Sequence, residues 1–147
     1  MKQIKIKKIN SNAILPKRAT NGSAGMDLFA CIDCEITIDP GERALIPTGI
    51  AIGIDNADYV GLVYARSGLA VKNGITLSNC VGVIDSDYRG EIKVGLINLS
   101  DTAYTVKPSE RIAQLVIAPV CVPEIIETDS LDTTDRGNGG FGSTGTK

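Results

Sequence analysis

Apolar and polar residues alternate in short runs along most of the chain. Ile4 and Ile6 alternate with Lys5 and Lys7, the period of a half-buried strand. Ile50, Ile52 and Ile54 repeat the pattern, and Tyr59 to Ala65 forms another strand-like run. Glu35 to Ile38 and Arg43 to Ile46 flank Asp39-Pro40-Gly41-Glu42. Pro suits the second turn position and Gly the third, so this segment predicts a hairpin. Cys80 to Ile84 and Glu91 to Leu96 are two more strand-like runs, around Asp85-Ser86-Asp87-Tyr88-Arg89-Gly90. Arg111 to Ala118 is the last strong apolar run, closed by Pro119 and Pro123. Residues 10–24 carry Asn, Ser, Pro and Gly and read as a loop. A single brief helix fits the pattern: Ser67 caps Gly68 to Lys72, and Asn73-Gly74 ends it. Strands spaced about ten residues apart, with almost no helix, predict an all-β sandwich or barrel.

Composition agrees and narrows the chemistry. At 147 residues the chain fits one compact domain, and Ile, Val and Thr supply 40 of those residues, which favours strands. There is no histidine. Ser-His-Asp and Cys-His catalysis within one chain, and His-containing zinc sites, are therefore excluded. A general base must be Asp, Glu, Lys, Tyr, Cys or a bound metal hydroxide. There is no Trp, and the formal charge is −2, so neither a stacking platform nor a basic surface for nucleic acid is expected. No stretch approaches the ~20 apolar residues of a membrane span, and the N-terminus lacks an apolar signal core. A cytoplasmic setting with free thiols follows as the expectation. Cys31, Cys34, Cys80 and Cys121 read as small buried hydrophobes rather than as a zinc site, because no second pair follows Cys31-x-x-Cys34 at zinc-ribbon spacing.

Five segments carry candidate chemistry. In Ala24–Ala30, Asp27 lies within an apolar run and needs a buried partner such as an arginine. In Ala65–Ala70, Arg66 and Ser67 at a helix start form a candidate anion site or a simple cap. In Gly82–Ile92, Asp85 and Asp87 would share a face of an extended strand. They could bind metal, act as a base, or simply make a turn. In Glu110–Leu115, alternation places Ile112 and Gln114 on one face and Arg111, Ala113 and Leu115 on the other. From Glu127 to Lys147 only Leu131 and Phe141 are large apolar residues, so this tail cannot fold on its own account. Its Arg136-to-Gly145 run sets Ser, Thr, Arg and Phe among glycines, which suits phosphate oxygens and a stacked ring. A dinucleotide reading of Gly137 to Gly142 fails, because no helix can follow.

Taken in order, these segments resemble the five motifs of the trimeric dUTPases (dUTP pyrophosphatases). The stretches G-V-I-D-S-D-Y-R-G and R-G-N-G-G-F-G-S-T-G carry most of the likeness. Two departures are small: Ser109-Glu110 stands where Gly-Asp is common, and Met26 where an aromatic or another apolar residue is common. The resemblance implies a jelly-roll-like β-barrel over residues 1–126, a glycine-rich arm over 127–147, and a homotrimer with sites at subunit interfaces. It implies hydrolysis of dUTP to dUMP and pyrophosphate, keeping uracil out of DNA and supplying dUMP for dTMP synthesis. Mg²⁺ would be held by the triphosphate and water, with no direct protein ligand.

By the same resemblance Asp85 would activate the attacking water, and Tyr88 would pack against the deoxyribose C2′ carbon. Asn79 and the backbone around Gly82 and Ile84 would pair with uracil. Arg66, Ser67, Gly68 and Gln114 would bind phosphate oxygens, and Asp27 would orient an arginine such as Arg111. Arg136, Gly142, Ser143 and Thr144 would grip the outer phosphates while Phe141 stacks over uracil. Two other readings stay open: a nucleotide-gated regulatory trimer with a protein partner, and a related dCTP deaminase.

Overall fold

The computed structural model describes residues 3–140. Eleven strands and one helix follow in order: β1 (Lys5–Lys8), β2 (Met26–Phe29), β3 (Ile36–Ile38), β4 (Arg43–Pro47), β5 (Ile50–Gly53), β6 (Tyr59–Tyr64), α1 (Ser67–Asn73), β7 (Ile75–Leu77), β8 (Gly82–Ile84), β9 (Lys93–Asn98), β10 (Tyr104–Val106) and β11 (Arg111–Pro119). All these strand pairings are antiparallel. The largest sheet has the order β2-β11-β6-β8, and a second runs β4-β9-β7. Two-stranded ribbons β1-β5 and β10-β3 complete the β-clip type of jelly roll. Leu28, Ile38, Ile46, Ile50, Leu96, Ile112 and Leu115 fill one shared core. Asn98 is fully buried among them, but its amide donates to the carbonyls of Ile38 and Thr102 and accepts from Ser100, so no polar atom is stranded.

Several expectations from the sequence need correction. The turn at Asp39–Glu42 forms, with Glu42 N–H donating to Asp39 O and Gly41 at φ +79°. It is not a hairpin, however: β3 pairs with β10, and β4 pairs with β9. The turn is a corner between two sheets, and the twist of each strand is satisfied by a distant partner. Ser67 does not cap α1; Arg66 occupies the N-cap with no side-chain cap bond. Gly74 ends the helix in the left-handed conformation, as Asn73-Gly74 predicts. Strict alternation fails at the start of β11. A bulge between Arg111 and Ala113 lets Ile112 and Ala113 both turn into the core. Cys34, Cys80 and Cys121 are exposed and are not core hydrophobes, whereas Cys31 is half-buried and packs against the core. The three exposed thiols sit in loops and turns. Beyond Pro119 the described chain has no strand or helix, and residues 120–138 are exposed throughout.

Candidate active site

The first cleft forms where β7 leads through a tight turn into β8. β8 pairs with β6 in the register Gly61↔Ile84, Leu62↔Val83 and Val63↔Gly82, which fixes the backbone of Gly82–Ile84 against the sheet. Asn79 lies on the turn before it. After Ile84 the chain leaves the strand at once. Asp85-Ser86-Asp87-Tyr88 is a turn, closed by Tyr88 N–H donating to Asp85 O at 3.1 Å. The extended arrangement with Asp85 and Asp87 on one face is therefore not formed. Arg89 braces the turn by donating to the carbonyls of Ser86 (2.6 Å) and Tyr88 (2.9 Å). Asn79, Gly82, Ile84, Asp85 and Tyr88 line a cleft of about 210 Å³. That volume is below the range of most whole-ligand pockets and suits a base and sugar better than a nucleoside triphosphate. Asp85 is exposed and its carboxylate has no hydrogen-bond partner among the described residues, so it is free to meet water.

The second cleft lies between β2, the start of α1 and β11. Gly25, Asp27, Arg66, Ser67, Gly68 and Gln114 are among its lining residues, and it shares none with the first. Asp27 organises it. One carboxylate oxygen accepts from Arg66 Nε at 2.9 Å and the other from an Arg111 terminal nitrogen at 3.3 Å. The Asp27 side chain is only 15% exposed, so these two guanidinium groups supply the partners its burial requires. Arg66 also donates to the Arg111 carbonyl, and Gln114 Nε2 donates to the Ala65 carbonyl at 2.9 Å. Together these contacts fix the 65–68 segment and leave Ser67 and Gly68 exposed in the lining of the cleft. At the opening of β11, Glu110 accepts from the Tyr104 hydroxyl and from Lys107 N–H. Burial, followed by the Glu110 contact, pushes the Tyr104 phenol up.

One cleft thus offers a shaped apolar wall with a free carboxylate, and the other a fixed cluster of cations and amides. A family model described as dUTPase matches residues 11–145. The chain belongs to the dUTPase family. A deoxyuridine 5'-triphosphate nucleotidohydrolase of Paraburkholderia phytofirmans is 53% identical over 131 residues, covering 89% of this chain and 88% of that protein. The protein of the same name from Idiomarina loihiensis is 49% identical over 149 residues and covers 99% of both chains. Among solved structures, the dUTPase of Staphylococcus bacteriophage 80alpha with dUPNHPP is 29% identical, with a TM-score of 0.89 and 99% of each chain covered. That phage protein is described as controlling transfer of virulence genes.

The dUTPase motifs therefore fall in two places on the single chain. Asn79, Gly82, Ile84, Asp85 and Tyr88 come together in the first cleft. Arg66, Ser67, Gly68, Gln114, Asp27 and Arg111 come together in or behind the second. Arg136 joins neither; its Nε donates to the Gly139 carbonyl at 2.9 Å within its own turn. Phe141, Gly142, Ser143 and Thr144 lie outside the described residues. Among the described residues no three His, Cys, Asp or Glu side chains gather in a way that could hold a metal ion. No helix among them is long and apolar enough to cross a membrane. The sequence reading overlooked Arg89 and Glu91. Arg89 could have been found from its place in the turn, but the contacts of Glu91 reach across 42 residues and leave no local signal.

Proposed function

We propose that this chain hydrolyses dUTP to dUMP and pyrophosphate, in a site completed when copies of the chain assemble as a trimer. The observation that carries the reading is the free, exposed carboxylate of Asp85 at the rim of a base-sized cleft, in a dUTPase-family chain without histidine. Asp85 accepts a proton from water. The water oxygen forms a bond to the α-phosphorus while the bond to the α,β-bridging oxygen breaks, and pyrophosphate leaves. Asn79 and the backbone of Gly82 and Ile84 read the uracil edge, where the wall built by β8 and the turns at its two ends excludes a 5-methyl group by shape. Tyr88 covers the C2′ carbon and leaves no room for a ribose hydroxyl. Arg66, Ser67, Gly68 and Gln114 bind phosphate oxygens, with Asp27 and Arg111 holding Arg66 in place. Arg136, Phe141, Gly142, Ser143 and Thr144 close the site from an arm formed by residues 127–147.

The donor set fits Mg²⁺ carried in by the triphosphate. That ion usually keeps several waters and uses one or two carboxylates plus substrate phosphates, and the described residues offer scattered carboxylates rather than a cage. When bound, it neutralises charge on the phosphate oxygens. Assembly is supported by two features. The base cleft and the cation cleft share no residue, and Val122, Ile125 and Ile126 are 75%, 95% and 78% exposed on a segment without secondary structure. A second chain would cover them. The nucleotidohydrolase relatives over most of the chain favour hydrolysis over dCTP deamination or a purely nucleotide-gated role. A cytoplasmic site of action fits an enzyme that acts on the nucleotide pool.

The test is pyrophosphate release from dUTP, dTTP, dCTP and UTP with Mg²⁺, beside a measurement of molecular mass by light scattering. Release from dUTP alone by a trimer is the expected result. No release from dUTP would overturn the activity, and an active monomer would overturn the shared site.

A further inference from the structure

One carboxylate in the first cleft has partners that the proposed chemistry does not use. Glu91 follows the Asp85–Tyr88 turn, and its side chain is 22% exposed. Its Oε1 accepts the N–H of Gly49 at 2.9 Å, and its Oε2 faces Lys93 Nζ at 3.7 Å. Gly49 is a firm anchor. It sits at φ +67°, where a Cβ would fall 2.7 Å from Cys31 Sγ and 2.8 Å from Ala13 Cβ. Its carbonyl accepts from Ile9 N–H at 2.7 Å and Asn10 N–H at 3.2 Å. On either side of Gly49, Thr48 donates its N–H (3.2 Å) and hydroxyl (2.6 Å) to the Ile92 carbonyl, and Ile92 N–H donates to Ile50 O at 2.8 Å. The corner between β4 and β5 therefore holds the main chain at Ile92 and the side chain at Glu91.

A further partner of Glu91 is Tyr88. Its hydroxyl donates to the Glu91 carbonyl at 3.0 Å. Its ring lies so close over Gly90 that a Cβ there would be 2.6 Å from the ring carbon Cζ. Tyr88 is 45% exposed.

We infer that Glu91 is a positioning residue for Tyr88. Its carboxylate, held by the Gly49 N–H, fixes the carbonyl that holds the ring at the wall of the cleft. Glu91 thereby sets how strictly the site rejects a ribose hydroxyl. The effect on sugar choice rests on the role given to Tyr88 above; the effect on the ring does not.

Two variants separate the outcomes. Glu91→Gln keeps an oxygen acceptor for the Gly49 N–H, and Glu91→Ala removes it. Each is made with fluorotyrosine in place of the four tyrosines, and the Tyr88 fluorine resonance is assigned with Tyr88→Phe. Glu91→Ala is expected to shift and broaden the Tyr88 resonance alone, and to lower the preference for dUTP over UTP about fivefold, the scale of one hydrogen bond. Glu91→Gln is expected to keep both near wild type. An unmoved Tyr88 resonance in Glu91→Ala, an equal shift of all four resonances, or an unchanged dUTP-to-UTP ratio would overturn the inference. If the wild-type chain leaves dUTP intact while the Tyr88 resonance responds as expected, the functional reading fails and the positioning role stands.

Discussion

The two clefts are built from different materials. The cleft beside β8 is walled by backbone, apolar side chains and the polar Asn79, Glu91 and Lys93, and its Asp85 is exposed and unpartnered among the described residues. The cleft beside α1 is built from charges that hold one another, with Asp27 half-buried between Arg66 and Arg111. The same residue type thus serves opposite ends. An exposed carboxylate with no partner contributes nothing to the fold and remains available to a proton. A half-buried carboxylate with two guanidinium partners is committed to the fold. The contrast can be tested by removing each acid in turn.

The largest effect is expected from Asp85→Asn. Pyrophosphate release should fall about a thousandfold, the scale of a lost general base. Stability in a urea titration should stay within about 0.5 kcal/mol, because the side chain is exposed. A marked loss of stability would erase the contrast with Asp27.

Asp27→Ala should behave in the reverse sense. It leaves two guanidinium groups facing each other without their shared carboxylate. Arg111 is about half exposed and Arg66 a quarter, so the cost lies between the surface and buried limits, about 2 kcal/mol. The same urea titration reads it. Weakened nucleotide binding should accompany the loss, since Arg66 is no longer held.

Tyr104 supports the start of β11, from which Arg111 reaches Asp27. Tyr104→Phe should cost about 1 kcal/mol at neutral pH through the lost hydrogen bond to Glu110. The pH dependence sharpens this. The folded phenol keeps its proton where the unfolded one loses it, so the wild-type advantage is complete below the ordinary tyrosine value of 10.0. It should shrink as pH rises above that value. Stability of wild type and Tyr104→Phe measured against pH should therefore converge on the alkaline side.

The smallest effect is expected at Ser109, in the turn that leads into the same strand. Ser109 sits at φ +62°, a conformation that costs a residue with a Cβ. Ser109→Gly should stabilise the chain by about 0.5 kcal/mol, because relief of that strain is partly offset by the greater freedom of glycine when unfolded. A fall in thermal midpoint would show that the serine has a compensating contact.

Legibility in the sequence followed the range of the interaction. β1, β5 and β6 were readable because alternation is local, and the Asp39–Glu42 turn because Pro40-Gly41 dictates it. The strands on either side of that turn were misjoined, because their partners begin at Lys93 and Tyr104. β2, β7 and β10 were not legible as strands. The bulge at Arg111 and Ala113 has no sequence mark, and it brings Ile112 and Ala113, expected on opposite faces, both into the core. Asp85 and Tyr88 lie within one motif, and the structure sets both in the lining of the first cleft. Asp27 demanded an arginine by its burial alone, and the sequence offered Arg111; the structure adds Arg66 at the shorter distance. Glu91 was invisible, since its meaning depends on a glycine amide at the distant corner between β4 and β5.

The order of strands in the largest sheet bears on how the chain comes into being. Among the described residues β11 is the last strand to be synthesised, yet it lies between β2 and β6. Until residues as far as Pro119 have emerged, both neighbours carry open edges that invite pairing with other chains. Closure must wait for a contact between the two ends of the domain, which is entropically slow. A ribosome stalled before Arg111 would release a sheet without its centre, so the interval between the first strand and the last is the period in which this protein most needs protection from its own kind.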